Sequence, residues 1–506
     1  MRPNHSILYQ ALLLTGVNLM LRGISMLFQV YLASAIGPEG IGLLQLVMTV
    51  GAFAMTVGLS GARVAAMYLC AEEHGHRRPA GVRSALRHCL SYSLLLSMAA
   101  AAALWFLAPY AAANWVKDLR TLSAIRHLAL GLPPSCACAV LAGYFTACGQ
   151  IRRLAAVEVA ERLLSLAITM PLLLFWAKSD VSRACSAIVL GGNLACIFSV
   201  VCLAHFARKN FSSLPKTAAD HTMPRRVVRL CIPLALGEYT RSGLTTLEQF
   251  LIPWGLSRCG GSRSESLAAY GTIHGMVFPI LMFPAAILFS LSDLLVSELS
   301  RCRAEENTRR IRHLTETCLR MGLLFAALTA GLMYLLSEQL GLLIYKSADA
   351  GQYLRVFAPM VLILYMDAMV DGMHKGLGQQ VACVRYNTFT SFLDVVFLYT
   401  LLPRYGIRAY VFTFVLTHVI NFYLSIRRLL LVTGYTPSVS FTLRSLFCAV
   451  TAVLAGGCLS GGPLWLVAGY RLTAFGAVFF LLLTLTNSLT RDDRVWLRRA
   501  IGAKGH

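Results

Sequence analysis

Apolar runs of about 20 residues recur from one end of this 506-residue chain to the other. A helix needs roughly that length to cross the hydrocarbon core of a bilayer. Apolar residues make up 57% of the chain and charged residues only 13%, where soluble domains carry about 25%. We therefore predict an all-α integral membrane protein with about fourteen transmembrane helices. The predicted spans are Leu8–Ala33, Ile41–Ala62, Cys89–Ala111, Ile125–Cys148, Leu154–Ala177, Cys185–Phe206, Val228–Ile252, Leu267–Leu295, Leu314–Leu336, Tyr353–Gly376, Val381–Leu402, Ile407–Ile426, Leu446–Leu459 and Leu464–Leu489.

The first apolar run, from about Ile7 to Ala35, is longer than the core of a signal peptide. We interpret it as an uncleaved first transmembrane helix. The formal net charge is +22, but the basic residues punctuate the apolar runs instead of forming a separate basic domain, so we expect no nucleic-acid partner. If the N-terminus is cytoplasmic, inside segments hold 30 Lys and Arg residues and outside segments hold 12. The positive-inside rule then predicts a multi-pass protein of the cell membrane with both termini inside.

The sequence carries no recognisable catalytic or metal-binding motif. Most of the 15 cysteines lie inside apolar runs, as Cys136 and Cys196 do, and no CxxC pair has zinc spacing. We expect neither disulfides nor a metal site. There is no GxSxG, Walker A or HExxH sequence, so we expect a protein that is not an enzyme and that needs no cofactor. Transport would then draw on an ion gradient, the membrane potential or the substrate gradient.

Two halves of the chain resemble each other at a fixed offset. Cys89-Leu90 matches Cys318-Leu319, and 318 − 89 = 229. The same offset pairs Arg126 with Arg355, Gly143 with Gly372, and Gly149-Gln150 with Gly378-Gln379. We predict parallel repeats, as in many transporters. The predicted domains are an N-lobe of six helices (1–206), a basic cytoplasmic linker (207–229), a C-lobe of six helices (230–428), and two further helices with a cytoplasmic tail (429–506).

Charged and polar side chains lie deep in the first helix of each half. Arg22 and Gln29 are two turns apart in helix one, and Glu238, Arg241 and Glu248 lie in helix seven. A charge inside a bilayer is costly unless it faces a partner or a cavity. Two interpretations stay open: an ion pair that joins helices, with Glu238 and Arg241 also able to pair along their helix, or a water-filled cavity that binds substrate.

Helix ten carries a polar stripe of Asp367, Asp371 and His374 at helical spacing. The stripe can bind protons or cations and so couple transport to an ion gradient, or it can line the inner mouth of the path. In helix eight, Pro279 and Pro284 should kink the helix.

Three stretches resemble a known transporter family. They are Ala35–Gln45 (AIGPEGIGLLQ), Leu401–Tyr410 (LLPRYGIRAY) and Gly58–Glu72 (GLSGARVAAMYLCAE). They resemble the polysaccharide-transporter branch of the multidrug/oligosaccharidyl-lipid/polysaccharide (MOP) flippase superfamily, most closely the stage V sporulation protein B group, which is similar to lipid II flippases. The resemblance covers nearly the whole chain.

The resemblance implies a flippase that moves undecaprenyl-diphosphate-linked saccharides by alternating access, in spore cortex or cell-envelope synthesis. It also implies a V-shaped pair of six-helix lobes, plus two C-terminal helices that form a lipid groove. Arg22 falls on an arginine typical of these proteins. A second basic residue often follows, but here the chain has Phe28-Gln29, so Arg241 would have to supply the second charge.

The implied partners are the lipid-linked oligosaccharide and membrane lipids, with a monomer working beside cell-wall synthesis enzymes. Two alternatives remain at this point. One is a cation-coupled multidrug or toxin exporter of the same superfamily, in which Asp367 and Asp371 would dominate. The other is a membrane glycosyltransferase or polymerase, which usually needs a large external loop. The outside loops here, such as Trp254–Ser266, are short.

Overall fold

The structure is a computed structural model that describes residues 4–76, 78–177, 180–212, 222–458, 461–486 and 488. Within these residues every regular element is a helix, and the chain contacts divide it into two compact units. One unit is Tyr31–Gly271, and the other combines Met1–Val30 with Thr272–His506. We call them unit A and unit B.

Unit A contains the second part of α1 and seven further helices. Helix α1 is interrupted at Gly37, where φ is 69° and ψ is 176°, and Pro38 follows. A buried core of small, aliphatic and aromatic side chains, from Ala62 to Cys231, holds helices of this unit together. The helices are α1 (Asn4–Leu59), α2 (Ala62–Gly75), α3 (Pro79–Tyr110), α4 (Leu122–Ala147), α5 (Ile151–Pro171), α6 (Val181–Ser212), α7 (Met223–Arg258) and α8 (Arg263–Thr272).

Unit B contains the first part of α1 and the remaining helices. A hydrophobic core of this unit packs the helices Val439–Gly457 and Leu464–Leu485 against Thr308–Leu335, through residues such as Leu335, Cys448 and Phe475. The helices are α9 (Phe278–Met282), α10 (Ala285–Ala304), α11 (Thr308–Leu335), α12 (Ser337–Tyr345), α13 (Ala348–Phe357), α14 (Val361–Gly376), α15 (Gln380–Tyr405), α16 (Ile407–Thr433), α17 (Val439–Gly457) and α18 (Leu464–Leu485).

Among the described residues, eleven helices are long and apolar enough to cross a membrane, or twelve if one bent pair counts as a single span. That pair, Arg263–Met282 and Ala285–Ser292, is bent by 62° beside Pro284. The long first span, Met20–Leu59, holds two predicted spans because Gly37 interrupts it. Helix α7 has 36 residues, long enough to cross a bilayer, but it is not one of these eleven spans. The predicted all-α membrane fold is confirmed, and these features account for the fourteen expected helices.

The compact units group the chain differently from the predicted lobes. The start of α1 belongs with the C-terminal half, and α7 belongs with the N-terminal half. Helix α6 runs on to Ser212 and α7 begins at Met223, so helical structure enters both ends of the predicted linker 207–229. Residues 213–221, and the predicted tail from Arg491 onward, lie outside the described residues.

The 229-residue offset recurs in the helix bounds. Helices α3 and α11 begin at Pro79 and Thr308, and α5 and α15 begin at Ile151 and Gln380. Each of the latter pair follows a glycine with a φ of +68°, Gly149 in one half and Gly378 in the other. Because that φ lies in the left-handed region, glycine suits both turns.

Side-chain contacts recur at the same offset. The Arg126 guanidinium lies over the Trp105 ring at 5.5 Å, and the Arg355 guanidinium lies over the Tyr334 ring at 5.1 Å. Arg355 lies 229 residues after Arg126, and Tyr334 lies 229 residues after Trp105. The shared bounds and contacts indicate that α3–α5 and α11–α15 are built on one plan.

Candidate functional site

The bent helix pair leaves backbone carbonyls without their usual helical partners. Pro279 has no N–H, so it cannot donate the α-helical hydrogen bond to the carbonyl of Gly275. The N–H of Ala286 bonds the carbonyl of Phe283 at 3.2 Å, one residue past Met282. A carbonyl inside a membrane needs another donor, because water is absent there.

Arg22 supplies such a donor to one of these carbonyls. Its Nη1 lies 3.4 Å from the carbonyl oxygen of Met282, and its guanidinium lies 4.9 Å from the centre of the Phe289 ring. Within the described part of the chain, Arg22 forms no ion pair. An arginine has five N–H donors, so this contact leaves donors for a further acceptor.

Gln29 supplies the second donor, two turns further along α1. Its Nε2 donates to the carbonyl oxygen of Gly275 at 2.9 Å. Gly275 belongs to a π-helical turn, Ile273–Val277, which continues α8. The first part of α1 therefore runs antiparallel to residues 275–282, and its two predicted site residues both contact this broken helix.

The other predicted substrate contacts lie on α7, in unit A. Arg241 is exposed, and Glu238 and Glu248 are partly buried. No ion pair joins Glu238 to Arg241, although both lie in the described part of the chain, so the pairing that their helical spacing allows is not formed. An exposed pair of this kind gains little, because it must immobilise two long side chains. Helix α7 instead packs through Tyr239, whose hydroxyl hydrogen-bonds the hydroxyl of Ser60.

The predicted acidic stripe lies on α14 and contacts two neighbouring helices. Asn421 of α16 donates to Oδ2 of Asp367 at 3.0 Å. The thiol of Cys383 in α15 lies 2.8 Å from Oδ1 of Asp371. Both carboxylates are partly buried. The stripe is therefore held between helices of unit B by single hydrogen bonds.

Several buried polar atoms on α14 and α16 have no hydrogen-bond partner among the described residues. They are Oδ1 of Asp367, Nδ1 of His374, Oδ1 of Asn421 and Oγ of Ser425. His374 is fully buried, and its Nε2 lies 2.9 Å from the carbonyl of Ser425, so Nε2 is the donor. Buried polar atoms normally find a partner. A proton, a water molecule or a cation at Asp367 would satisfy its free oxygen.

Known structures share the fold. An inward-facing multidrug resistance MATE family transporter of the MOP superfamily matches with a TM-score of 0.63 at 15% identity, over 83% of this chain and 96% of that one. A MOP superfamily transporter from Pyrococcus furiosus, described as having a binding pocket of reversed polarity, matches with a TM-score of 0.58 at 15% identity. That match covers 88% of this chain and 95% of the other.

Sequence comparison agrees with the fold. The family described as polysaccharide biosynthesis protein matches residues 7–258, and the MatE family matches residues 244–400. Stage V sporulation protein B of Bacillus subtilis is 21% identical over 401 residues, which is 78% of this chain and 77% of that protein. The chain belongs to the MOP flippase superfamily. The resemblance in the sequence is thus confirmed, and this MOP protein is a multi-pass membrane transporter.

Sequence reasoning missed part of the polar group in this MOP protein. Asp394 of α15 accepts a hydrogen bond from Thr417 of α16 at 2.7 Å, and Asn421 and Cys383 bind the two predicted carboxylates. One signal for Asp394 was present, because it is an acidic residue inside a predicted span. Asn421 and Cys383 gave no such signal, since uncharged residues of these types also occur in ordinary helix packing.

Proposed function

We propose that this MOP protein is a flippase that moves undecaprenyl-diphosphate-linked saccharides across the cytoplasmic membrane by alternating access, in spore cortex or cell-envelope synthesis. The match of residues 7–258 to polysaccharide biosynthesis proteins supports this substrate class. The similarity to stage V sporulation protein B supports the setting. We place both termini in the cytoplasm, on the 30-to-12 division of basic residues.

The observation that carries this proposal is the environment of Arg22. A partly buried guanidinium within the membrane, bonded to one carbonyl and to no carboxylate in the described residues, keeps unused donors. A diphosphate cannot cross hydrocarbon unaided, and arginine binds phosphate oxygens through two parallel hydrogen bonds. Arg22 is thus the residue we expect to bind the head group. Gln29, Glu238, Arg241 and Glu248 remain predicted substrate contacts.

Coupling to an ion gradient is the second part of the proposal. Asp367 and Asp371 would bind a proton or a cation, because Asp367 has a buried oxygen that no described residue satisfies. The same observation favours a second candidate function, cation-coupled export of drugs or toxins. The MatE match of residues 244–400 includes both carboxylates. The transported molecule distinguishes these two functions.

The test is a translocation assay in proteoliposomes with three variants. Arg22→Ala should insert normally and lose about tenfold or more of the transport rate, because a charge-assisted contact contributes about 1.5–3 kcal/mol. Arg22→Lys should recover only part of the rate, since an ammonium group lacks the bidentate fork. Arg126→Gln is the matched control, because it removes another arginine that lies over an aromatic ring. Full transport by a normally folded Arg22→Ala protein would refute the proposal.

A further inference from the structure

Two chain connections join unit A to unit B. The chain passes from unit B into unit A after Val30, within α1, and returns to unit B after Gly271, one residue before α8 ends. A movement of one unit against the other has to be accommodated at these connections, because the chain is continuous through both. A helix bends where its regular hydrogen bonding is interrupted, by a proline or by a π-helical turn for example. Both connections carry such an interruption.

The interruption in α1 is at Gly37, seven residues beyond Val30. Its φ of 69° and ψ of 176° belong to a region of backbone conformation that is open almost to glycine alone. Pro38 follows, and its ring removes a backbone donor. On the other connection, Gly271 is followed within two residues by the π-helical turn Ile273–Val277. Each connection thus has a bend point beside the boundary between the units.

In unit B, the two connecting segments hold each other. Gln29 of α1 bonds the carbonyl of Gly275 at 2.9 Å, and Arg22 approaches the carbonyl of Met282 at 3.4 Å. The two contacts are seven residues apart on each segment. Equal spacing is what two helical segments give when they run antiparallel and side by side. The start of α1 and residues 275–282 therefore form one body within unit B.

In unit A, the same two segments meet again, through their backbones. A Cβ on Gly271 would overlap the carbonyl oxygen of Pro38, and a Cβ on Gly42 would overlap the carbonyl oxygen of Leu267. These contacts are four residues apart on each segment, so the spacing is equal here too. Glycine allows this close approach because it has no Cβ. The second part of α1 and the end of α8 therefore form one body within unit A.

Between these two contact regions the segments differ in length. Nine residues lead from Gln29 to Pro38, whereas four lead from Gly271 to Gly275. The additional residues of α1 correspond to about 7.5 Å of helix. Gly37 lies within this longer stretch. Helix α1 therefore has spare length where it bends, so a change at Gly37 can alter its path while the shorter segment turns at the π-helical turn.

An ionic cluster fixes the unit A end of this pair. The Glu39 carboxylate accepts hydrogen bonds from Nη2 of Arg120 and from the Ser264 hydroxyl, both at 2.6 Å. The Arg120 guanidinium also bonds Asp118 at 2.7 Å. Exposed ion pairs contribute little singly, but several charges that share one guanidinium form a more stable network. Since Glu39 belongs to α1 and Ser264 to α8, the cluster ties both segments to the loop before α4.

We propose that α1 and residues 264–282 form a paired hinge between the two units. The pair bends at Gly37 and at the π-helical turn Ile273–Val277, between its contact region in unit B and its contact region in unit A. The ionic cluster of Glu39, Arg120 and Ser264 holds the unit A end. The inference rests on the alternating access proposed above, and it holds equally for a flippase and for an exporter. Gly37 leaves its present conformation when the units move.

The test follows the distance between the units by single-molecule fluorescence energy transfer, with the full chain in lipid nanodiscs. The two dyes are attached through noncanonical amino acids at the exposed positions Arg83 in unit A and Glu305 in unit B. No substrate is added. The wild-type protein should exchange between two distances. Gly37→Ala should change the ratio of the two populations by about tenfold or more, because alanine is strained in the backbone conformation of Gly37.

Three further variants complete the test. Gly237→Ala is the matched control for Gly37→Ala and should leave the ratio unchanged, because a Cβ at this glycine of α7 would meet no described neighbour within 4 Å. Glu39→Gln should broaden both distance distributions, since the hinge is then less firmly held at its unit A end. Arg183→Gln should leave them unchanged, because its exposed ion pair with Asp180 lies in unit A but outside the ionic cluster.

The outcomes separate the hinge from the proposed function. Two exchanging distances that neither Gly37→Ala nor Glu39→Gln affects, or equal effects in the two control variants, would overturn the hinge and leave alternating access standing. One fixed distance in the wild-type protein would overturn both. If Gly37→Ala does not fold, Glu39→Gln with its Arg183→Gln control decides the result. A hinge that responds as expected, in a protein that does not translocate the lipid-linked saccharide, would refute the proposed substrate alone.

Discussion

Replacing Asp367 by asparagine should separate stability from ion coupling. A carboxylate can accept about four hydrogen bonds, but Asp367 receives one, from Asn421 at 3.0 Å, and its Oδ1 is buried without a partner among the described residues. An ionised group in that position is poorly solvated. Asparagine has the same shape, keeps an oxygen for Asn421 and carries no charge. The free energy of unfolding should therefore stay the same or rise, by about 1–3 kcal/mol.

The same substitution should impair function, because it removes the carboxylate proposed to couple transport to an ion gradient. Proteoliposomes with an imposed proton or sodium gradient would measure how strongly the gradient accelerates transport. Wild-type protein should respond to one of these gradients, and Asp367→Asn should transport at a rate that no longer depends on it. Asp349→Asn is the control, because it removes a charge from an exposed residue of the same unit. A stimulated Asp367→Asn variant, or a marked loss of its stability, would refute this reasoning.

Three further predictions concern stability, measured by thermal unfolding in detergent. Gly42→Ala should cost about 1–3 kcal/mol, because a Cβ there would overlap a backbone carbonyl of α8. Arg226→Met should lower the melting temperature more than Arg301→Met, because it leaves the buried carboxylate of Glu73 without its 2.9 Å ion pair. Burial opposes ionisation of Asp118, but hydrogen bonds from Arg120 outweigh it and lower its pKa. Acidification below about pH 4 should therefore lower the melting temperature of the wild-type protein by removing this contribution. The Arg120→Gln variant should lack the contribution at every pH.

The apolar runs were sufficient to predict the helices, because a bilayer imposes both their length and their composition. The offset that pairs Gly149 with Gly378 also anticipated matching turns, with the same φ of +68°. The apolar runs and the repeat are both visible as patterns in the sequence, so they can be recognised without knowledge of tertiary contacts.

The grouping of helices could not be read in this way. The start of α1 and the whole of α7 belong to units formed mainly by the other half of the sequence. Those memberships depend on contacts over long sequence distances, such as Gln29 with Gly275. Whether Glu238 and Arg241 pair could not be read from the sequence for a related reason, since helical spacing permits a contact without making it favourable.

The most direct test of the account is the transport of undecaprenyl-diphosphate-linked oligosaccharide by the wild-type protein in sealed proteoliposomes. Accessibility of the saccharide to an external glycosidase would report its movement between leaflets. The account predicts protein-dependent translocation that falls about tenfold or more in Arg22→Ala and persists in Arg126→Gln. Vesicles that export cationic drugs but leave the lipid-linked saccharide on its original leaflet would contradict it.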